Sequence, residues 1–286
     1  MKIEAYAKVN LTLEVLGKRP DGYHEIRSVV LPITLSDTLE IEPTTDGVVT
    51  SDTGYDNDLC VKAALALRRE KGLGARIHVT KRIPVGGGLG GGSADAAAVL
   101  VALNDLWSTG LTTEELAAIG ARVGSDVPSL VYRRPVVMEG RGECITPLGT
   151  ACPELDLVLV DPGVHSSTAE VYAACQDRRR EGPSPTARMA DALTSGEGDD
   201  IPRLFMNDLQ APAVALHREI GDVLAALRSA GVANACMSGS GACVFGAVRG
   251  RAEAERLAGA MASAGYRAWA IKSASEWLPR QDSNLN

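Results

Sequence analysis

Aromatic residues are scarce: phenylalanine, tryptophan and tyrosine together make up 4% of 286 residues. A sheet that stacks nucleic-acid bases needs more of them and a basic face, whereas here 36 acidic side chains outnumber 29 basic ones and the formal net charge is −7. A general nucleic-acid or membrane-surface binder is therefore not expected. The single basic run, Arg178 to Arg180, is followed by Glu181 and Gly182 and reads as a solvated helix end. Cys60, Cys144, Cys152, Cys175, Cys236 and Cys243 form no C-x-x-C pair, so neither a zinc site nor a disulfide framework is indicated. No apolar run approaches the length of a membrane span, and Glu4 and Lys8 interrupt the region where a secretory signal would be apolar. What remains is the expectation of a soluble, cytoplasmic protein with reduced thiols.

Glycine, by contrast, is concentrated: six of the seven residues from Gly86 to Gly92 are glycine, in the run PVGGGLGGGSAD. Residues without a Cβ can wrap a ligand closely and present consecutive N–H groups to it, and a following helix adds the positive end of its dipole. Upstream, Ile77 and Val79 alternate with His78 and Thr80, a strand signature. Downstream, Ala94 to Trp107 has high helix propensity, with Ser93 where an N-cap belongs. Gly86, Gly88 and Gly91 satisfy the dinucleotide G-x-G-x-x-G. That pattern needs a second parallel strand after the helix, and here a second helix follows, with a capping box from Thr112 to Glu115. The Walker template fails as well, because Gly92 stands where its lysine belongs.

The loop, together with AYAKVNLTLEVLGKRPDGYHEIRS (Ala5 to Ser28), GSDVPSLVY (Gly124 to Tyr132), PGVHSSTAEVY (Pro162 to Tyr172) and MSGSGACVF (Met237 to Phe245), resembles the GHMP kinases. Within them it is most similar to the branch whose acceptor is a cytidine diphosphate-linked methylerythritol; mevalonate-type or homoserine-type acceptors are the alternative. The resemblance implies an ATP- and Mg²⁺-dependent phosphotransferase acting on an alcohol group. It places the catalytic pair on Lys8 and Asp126. ATP binding falls to Pro84, Val85, Gly86, Gly87, Gly88, Leu89, Gly90, Gly91, Gly92, Ser93 and Ala94, and help with the metal to Ser93 and Asp126. Asn10, Tyr23, His24, Tyr172, Gly239, Ser240 and Gly241 are assigned to the substrate. Without the resemblance, Asp126 reads as a turn or cap residue before Pro128, and Lys8 as a solvent-facing lysine.

The implied fold is α+β in two domains. Residues 1–150 would form an N-terminal α/β ATP-binding domain with an open sheet, and residues 151–286 a ferredoxin-like C-terminal domain. The chain opens with a long strand in which Ile3, Ala5, Ala7, Val9, Leu11, Leu13 and Val15 form one face, with Lys8 and Asn10 on the other. In the second half we expect a strand at Leu155 to Val160, a helix from Thr168 and a helix from Ala213 to Ser229. Strands at Ala233 to Met237 and Ala242 to Val248, a helix at Arg251 to Ala264 and a strand at Tyr266 to Lys272 would follow. Pro183 to Asp200 is expected to be a surface excursion, and the tail from Pro279 disordered. Tyr6, Ala94, Asp95, Ser125 and Ser129 depart from the family's wording. Ala94 loses a hydroxyl, Ser129 should weaken the backing of Asp126, and Asp95 should point away from the nucleotide, helping the helix cap or a neighbouring Lys or Arg.

Overall fold

A computed structural model describes residues 1–149, 152–175, 182–196 and 200–274; Arg178 to Arg180 and the tail from Pro279 lie outside them. The alternating N-terminal segment forms β1 (Lys2–Lys18), which pairs antiparallel with the 21-residue β2 (His24–Thr44). One edge of β2 carries β4 (Gly74–Thr80) and then β3 (Val49–Ser51) near its C-terminal end, and β5 (Val136–Gly140) with β6 (Cys144–Pro147) near its start. Helices α1 (Leu59–Leu67), α2 (Gly91–Leu106), α3 (Thr113–Gly120) and α4 (Val127–Val131) pack with this sheet around one core. The α3 capping box forms as expected, Thr112 with Glu115.

The second sheet runs β11 (Arg267–Lys272), β7 (Asp156–Asp161), β10 (Val244–Val248), β9 (Cys236–Met237), all antiparallel. Between β7 and β9 come α5 (Thr168–Ala174), α6 (Pro185–Ser195), α7 (Gln210–Leu216) and α8 (Arg218–Ser229), and between β10 and β11 comes α9 (Arg251–Ser263). This strand order and helix placement are those of a split βαβ, ferredoxin-like layer. The helix expected from Ala213 to Ser229 breaks at His217, whose extended backbone ends α7 and begins α8. β10 starts at Val244 instead of Ala242, and β9 starts at Cys236 instead of Ala233 because the Asn234 side chain stands in for ladder bonds. Its Nδ2 donates to Ala247 O at 3.1 Å, and its Oδ1 accepts from Ala247 N at 2.8 Å. Near Ile33 the sheets are stitched together: Ile33 bridges Ser273, and Ala274 N donates to Pro32 O at 2.8 Å.

Two expectations change. First, β1 does not keep one apolar face. Asn10 pairs with Val30 and Thr12 with Val29, so Leu11 is an extra, bulged residue. Ile3 through Leu11 pack in one core and Leu13 and Val15 in the other, while Lys8, Asn10, Thr12 and Glu14 are all buried. Second, Pro183 to Asp200 is not merely a surface excursion. Ser184 caps α6 by accepting from Ala187 N, Pro185 opens it, and Gly196 closes it in a left-handed conformation. Its Met189, Ala192 and Leu193 enter the first core, and its N-terminus satisfies β1: Ser184 Oγ (2.6 Å) and Thr186 N (3.0 Å) both donate to Glu14 Oε2. A further short strand, β8 (Met206–Asn207), then runs parallel beside β1. Residues 185–196 and 201–207 thus lie beyond the expected boundary at 150 yet return to the first layer. Because Met189 is fully buried in that core, Met189→Ala should lower unfolding free energy by about 2–5 kcal/mol. Denaturant titration checks this; a change below about 0.5 kcal/mol would mean that α6 is peripheral.

Candidate active site

The glycine run crosses the end of β4 and is pinned by its carbonyls. Lys8 N donates to Leu89 O at 3.0 Å, Lys8 Nζ and Ser238 Oγ each donate to Gly88 O at 3.0 Å, and Cys243 N donates to Gly87 O at 3.1 Å. With those oxygens turned into the protein, the opposite edge of the loop is presented to a cleft of about 860 Å³ between the two layers. Gly86, Gly88 and Gly90 take φ near +70° (72, 72 and 69), which side chains rarely adopt. At Gly88 a Cβ would run into Ser238 O, and at Gly90 it would sit 3.2 Å from Lys8 Cε. The α2 helix starts at Gly91 with Gly90 as N-cap, so Ser93 lies inside its first turn instead of capping it. Ser93 and Asp126 both border the cleft, and the Ser93 hydroxyl is 3.8 Å from where a Gly124 Cβ would be.

Lys8 Nζ donates to Asn10 Oδ1 at 2.6 Å and lies 3.5 Å from Asp126 Oδ2. Lys8 is almost wholly buried while the Asp126 side chain remains one-third exposed (33%) towards the cleft. Asp126 occupies the N-cap position of α4, yet its carboxylate makes no capping bond. The backbone there is held instead by Ser129, whose Oγ donates to Asp126 O at 2.8 Å. Ser129 thus gives the Asp126 loop a hydrogen bond where an apolar side chain would give none.

Asp95 borders the cleft, and its carboxylate meets the neighbouring Lys81 in a buried network. Asp37 Oδ1 accepts from Ile83 N at 2.8 Å and from Arg82 N at 2.5 Å, and Lys81 Nζ bridges Asp37 Oδ2 (2.5 Å) and Asp95 Oδ2 (2.7 Å). The entry and exit of the glycine run are thus both tied to β2. One ammonium serves two carboxylates, and Asp95 Oδ1 is buried with no hydrogen-bond partner. Burial pushes the Asp95 carboxyl up to about 7 despite the pull of Lys81. Burial alone would lower Lys81, but Asp95 and Asp37 outweigh it and hold the ammonium above the ordinary lysine value.

At the far end of the cleft the His24 and Tyr172 rings stack, centroids 5.0 Å apart at 29°. Burial raises the Tyr172 hydroxyl above its ordinary value. Tyr23 is half exposed, and Gly239, Ser240 and Gly241 close the wall. Ser166 Oγ donates to Ser240 O at 2.7 Å, and Thr168 Oγ1 meets Ser240 Oγ at 2.7 Å. Gly239 is packed so closely that a Cβ would lie 2.9 Å from Gly88 O and 3.3 Å from Lys8 Nζ. Asn10 is not beside the aromatic pair. It sits next to Lys8 and donates from Nδ2 to Ser28 Oγ at 2.8 Å. Of the residues expected from sequence, Pro84 through Ser93, Lys8, Asn10, Tyr23, His24, Asp126, Tyr172 and Gly239 to Gly241 border one cleft; Ala94, a buried residue of α2, does not. The sequence reading missed Thr53, Tyr55, Asn57, Asp58, Leu59, Lys81, Lys18 and Arg141, which also border it. The Asp58 N-cap before the apolar run of α1 was the one local signal among them.

The GHMP kinases N terminal domain matches residues 58–134 and the GHMP kinases C terminal domain matches residues 189–267. A 4-diphosphocytidyl-2-C-methyl-D-erythritol kinase from Symbiobacterium thermophilum is 42% identical over 281 residues, 96% of this chain and 99% of the relative. One from Aromatoleum aromaticum is 42% identical over 276 residues, 94% of this chain and 92% of the relative. A crystal structure of 4-(cytidine 5'-diphospho)-2C-methyl-D-erythritol kinase superposes with TM-score 0.82 at 37% identity, covering 95% of this chain and 98% of that one.

Two outcomes follow from the geometry. Gly90→Val combines a forbidden φ with a contact on Lys8, and should weaken ATP binding by about ten- to hundredfold with acceptor affinity little changed. Calorimetric titration showing equal ATP affinity would reject the loop as the phosphate site. Asp95 binds a proton more tightly folded than unfolded, so its contribution to stability falls as pH rises from about 4 to 7 and is regained on acidification. Wild type should therefore gain stability relative to Asp95→Asn when pH drops from 8 to 5.5. Parallel unfolding curves for the two proteins would contradict it.

Proposed function

This chain belongs to the GHMP kinases, in the branch of the 4-diphosphocytidyl-2-C-methyl-D-erythritol kinases, and on that premise we propose how its residues divide the transfer of a phosphoryl group from ATP to that acceptor's hydroxyl. The observation that carries the reading is Lys8 Nζ held at once 3.0 Å from Gly88 O and 3.5 Å from Asp126 Oδ2, where the glycine loop meets the acceptor end of the cleft. The loop amides and the N-terminus of α2 receive the ATP phosphates. Asp126, free of capping duty, accepts the acceptor hydroxyl's proton as its oxygen attacks the γ-phosphorus and ADP departs. Lys8 keeps Asp126 oriented and offsets the charge gathering on the transferred group. His24 and Tyr172 receive the cytosine ring, and Tyr23 flanks it. That end is remote from the reacting hydroxyl, so its binding energy anchors the acceptor and discriminates among acceptors.

Magnesium fits the residues present. Among the described residues no cluster of three or more His, Cys, Asp or Glu could hold a metal. The donors on offer are the unbonded Ser93 hydroxyl and Asp126, and this cation takes few protein ligands beside phosphate and water oxygens. When bound it would neutralise charge on the β- and γ-phosphates. The division of labour places ATP in residues 1–150 and acceptor contacts from both parts of the chain, with 151–286 closing the cleft. No helix among the described residues is long and apolar enough to cross a membrane, and we propose that the enzyme works in the cytoplasm without nucleic-acid or membrane partners.

Asp126→Asn should lower turnover by about 10²- to 10⁴-fold while ATP binding is retained. Near-normal turnover would make Asp126 structural. With equal Mg-ATP, the diphosphocytidyl acceptor should be phosphorylated while mevalonate, homoserine and free methylerythritol phosphate are poor substrates, and Tyr172→Ala should selectively damage use of the cytidylated acceptor. Equal activity on mevalonate or homoserine would reject the acceptor assignment and leave the kinase reading standing.

A further inference from the structure

The turn from Ser238 to Gly241, like the glycine loop it faces, has little side chain with which to hold itself. It follows β9, the edge strand of the second sheet, whose Met237 pairs with Val244 of β10. The backbone groups of Met237 are met by two side chains instead of a further strand. Asn207 Nδ2 donates to Met237 O at 2.7 Å and to Gly239 O at 2.8 Å, and Gln210 Oε1 accepts from Met237 N at 3.0 Å. Asn207 Oδ1 accepts from Leu209 N at 2.9 Å, so the amide has one workable orientation; flipped, it would set an oxygen against two carbonyls. Asn207 itself lies on β8 as the register partner of Leu13. The next residue strengthens that tie to β1: Asp208 N donates to Leu13 O at 2.9 Å, and Asp208 Oδ2 accepts from Val15 N at 3.0 Å.

These bonds close a ring that begins and ends on β1. From Leu13 it runs through β8 and the Asn207 amide into the turn. From Lys8 it runs through Nζ to Gly88 O, which also accepts from Ser238 Oγ at 3.0 Å, while Asn10 N donates to that same Oγ at 3.3 Å. The space enclosed is filled. A Cβ on Gly239 would lie 2.9 Å from Gly88 O, 3.3 Å from Lys8 Nζ and 3.4 Å from Asn10 Oδ1, and one on Gly88 would run into Ser238 O. The Gly239 backbone is therefore the wall beside the Lys8 ammonium, and Asn207, which does not itself border the cleft, is the side chain that grips this wall from behind. We propose that Asn207 is a positioning residue for phosphoryl transfer: by holding the Met237 and Gly239 carbonyls it keeps the Ser238–Gly241 turn against Lys8 and Gly88, and so keeps the ammonium aimed at Asp126 and the transferred group. Gln210 holds Met237 by its N–H only and has the smaller share. Reacting groups displaced by about 1 Å lose about a hundredfold in rate, which is the scale on which such a grip counts.

This inference rests on the roles given above to Lys8 and Asp126, and the test separates the two. Wild type, Asn207→Ala, Asn207→Asp, Gln210→Ala and Met189→Ala are assayed with Mg-ATP and the diphosphocytidyl acceptor, well below their unfolding temperatures. Met189→Ala, far from the turn in the first core, serves as the control for lost stability alone. Asn207→Ala should lower kcat about ten- to hundredfold, with the Michaelis constant of ATP changed by less than about threefold. Gln210→Ala should cost at most about threefold, and Met189→Ala should keep wild-type kcat. Asn207→Asp sets a carboxylate against two carbonyls at pH 8 and regains one O–H donor on protonation. Its kcat relative to that of Asn207→Ala should therefore rise about fivefold or more from pH 8 to pH 5.5, which lost packing alone would not produce. Wild-type kcat in Asn207→Ala, or a ratio of the two variants that is flat with pH, overturns the positioning role and leaves the kinase reading standing. Failure of wild type to phosphorylate the acceptor overturns both.

Discussion

The way the glycine run is held down is the constraint on which the rest depends. A chain with so little side chain has no packing of its own to fix it, and its shape is imposed through three consecutive carbonyls, those of Gly87, Gly88 and Leu89. The partners come from both layers: Lys8 from β1, Ser238 and Cys243 from the turn between β9 and β10. The loop's shape therefore depends on the two sheets being docked, and Lys8, for which we propose contact with the transferred phosphoryl group, is also the residue that shapes the loop. Lys8 cannot be changed without changing both.

That docking explains why so many polar side chains on β1 are buried. Lys8, Asn10, Thr12 and Glu14 would be costly inside an apolar core, but each meets a specific partner: the loop, Ser28, Thr186 and the Ser184–Thr186 helix start. The bulge at Leu11 sends the first two towards the cleft and the last two towards α6. A similar logic governs the Asp37–Lys81–Asp95 network. Buried charges contribute little net stability, yet this set ties both ends of the glycine run to one point on β2, so the loop's span cannot drift. An asparagine at 95 would relieve the surplus carboxylate; the aspartate makes the bracket pH-sensitive.

Much of this was legible along the chain. The strand, glycine loop and helix around Gly86 to Gly92 carried their own local signals, as did the capping box at Thr112 and the alternation in β4. The second half read as alternating strands and helices, but the helix expected from Ala213 to Ser229 breaks at His217, and β9 starts late because Asn234 substitutes for ladder bonds that composition cannot reveal. The α6 helix was hidden by its own caps. Ser184, Pro185 and Gly196 are what begin and end a helix, but flanked by more proline and glycine they look like a loop. The bulge at Leu11 was invisible because period-two alternation continues through it unbroken, and only the partner strand shows that the faces have exchanged.

By itself the sequence determined many of the elements, the glycine loop between strand and helix and, through its wording, the family, since these depend on residues close together in the chain. It could not decide what Asp126 does. A carboxylate before a short helix is a cap by local rules, and only the fold brings Lys8 beside it from 118 positions away. Nor could it sort the basic residues. Lys18, Arg19 and Arg141 are alike in sequence, and only the folded turn after β1, where Asp21, Glu25 and Glu143 close on Arg19, decides which charges are consumed internally and which face the cleft. Charge pairing is a matter of distance in space, and distance in space is what the tertiary structure alone sets.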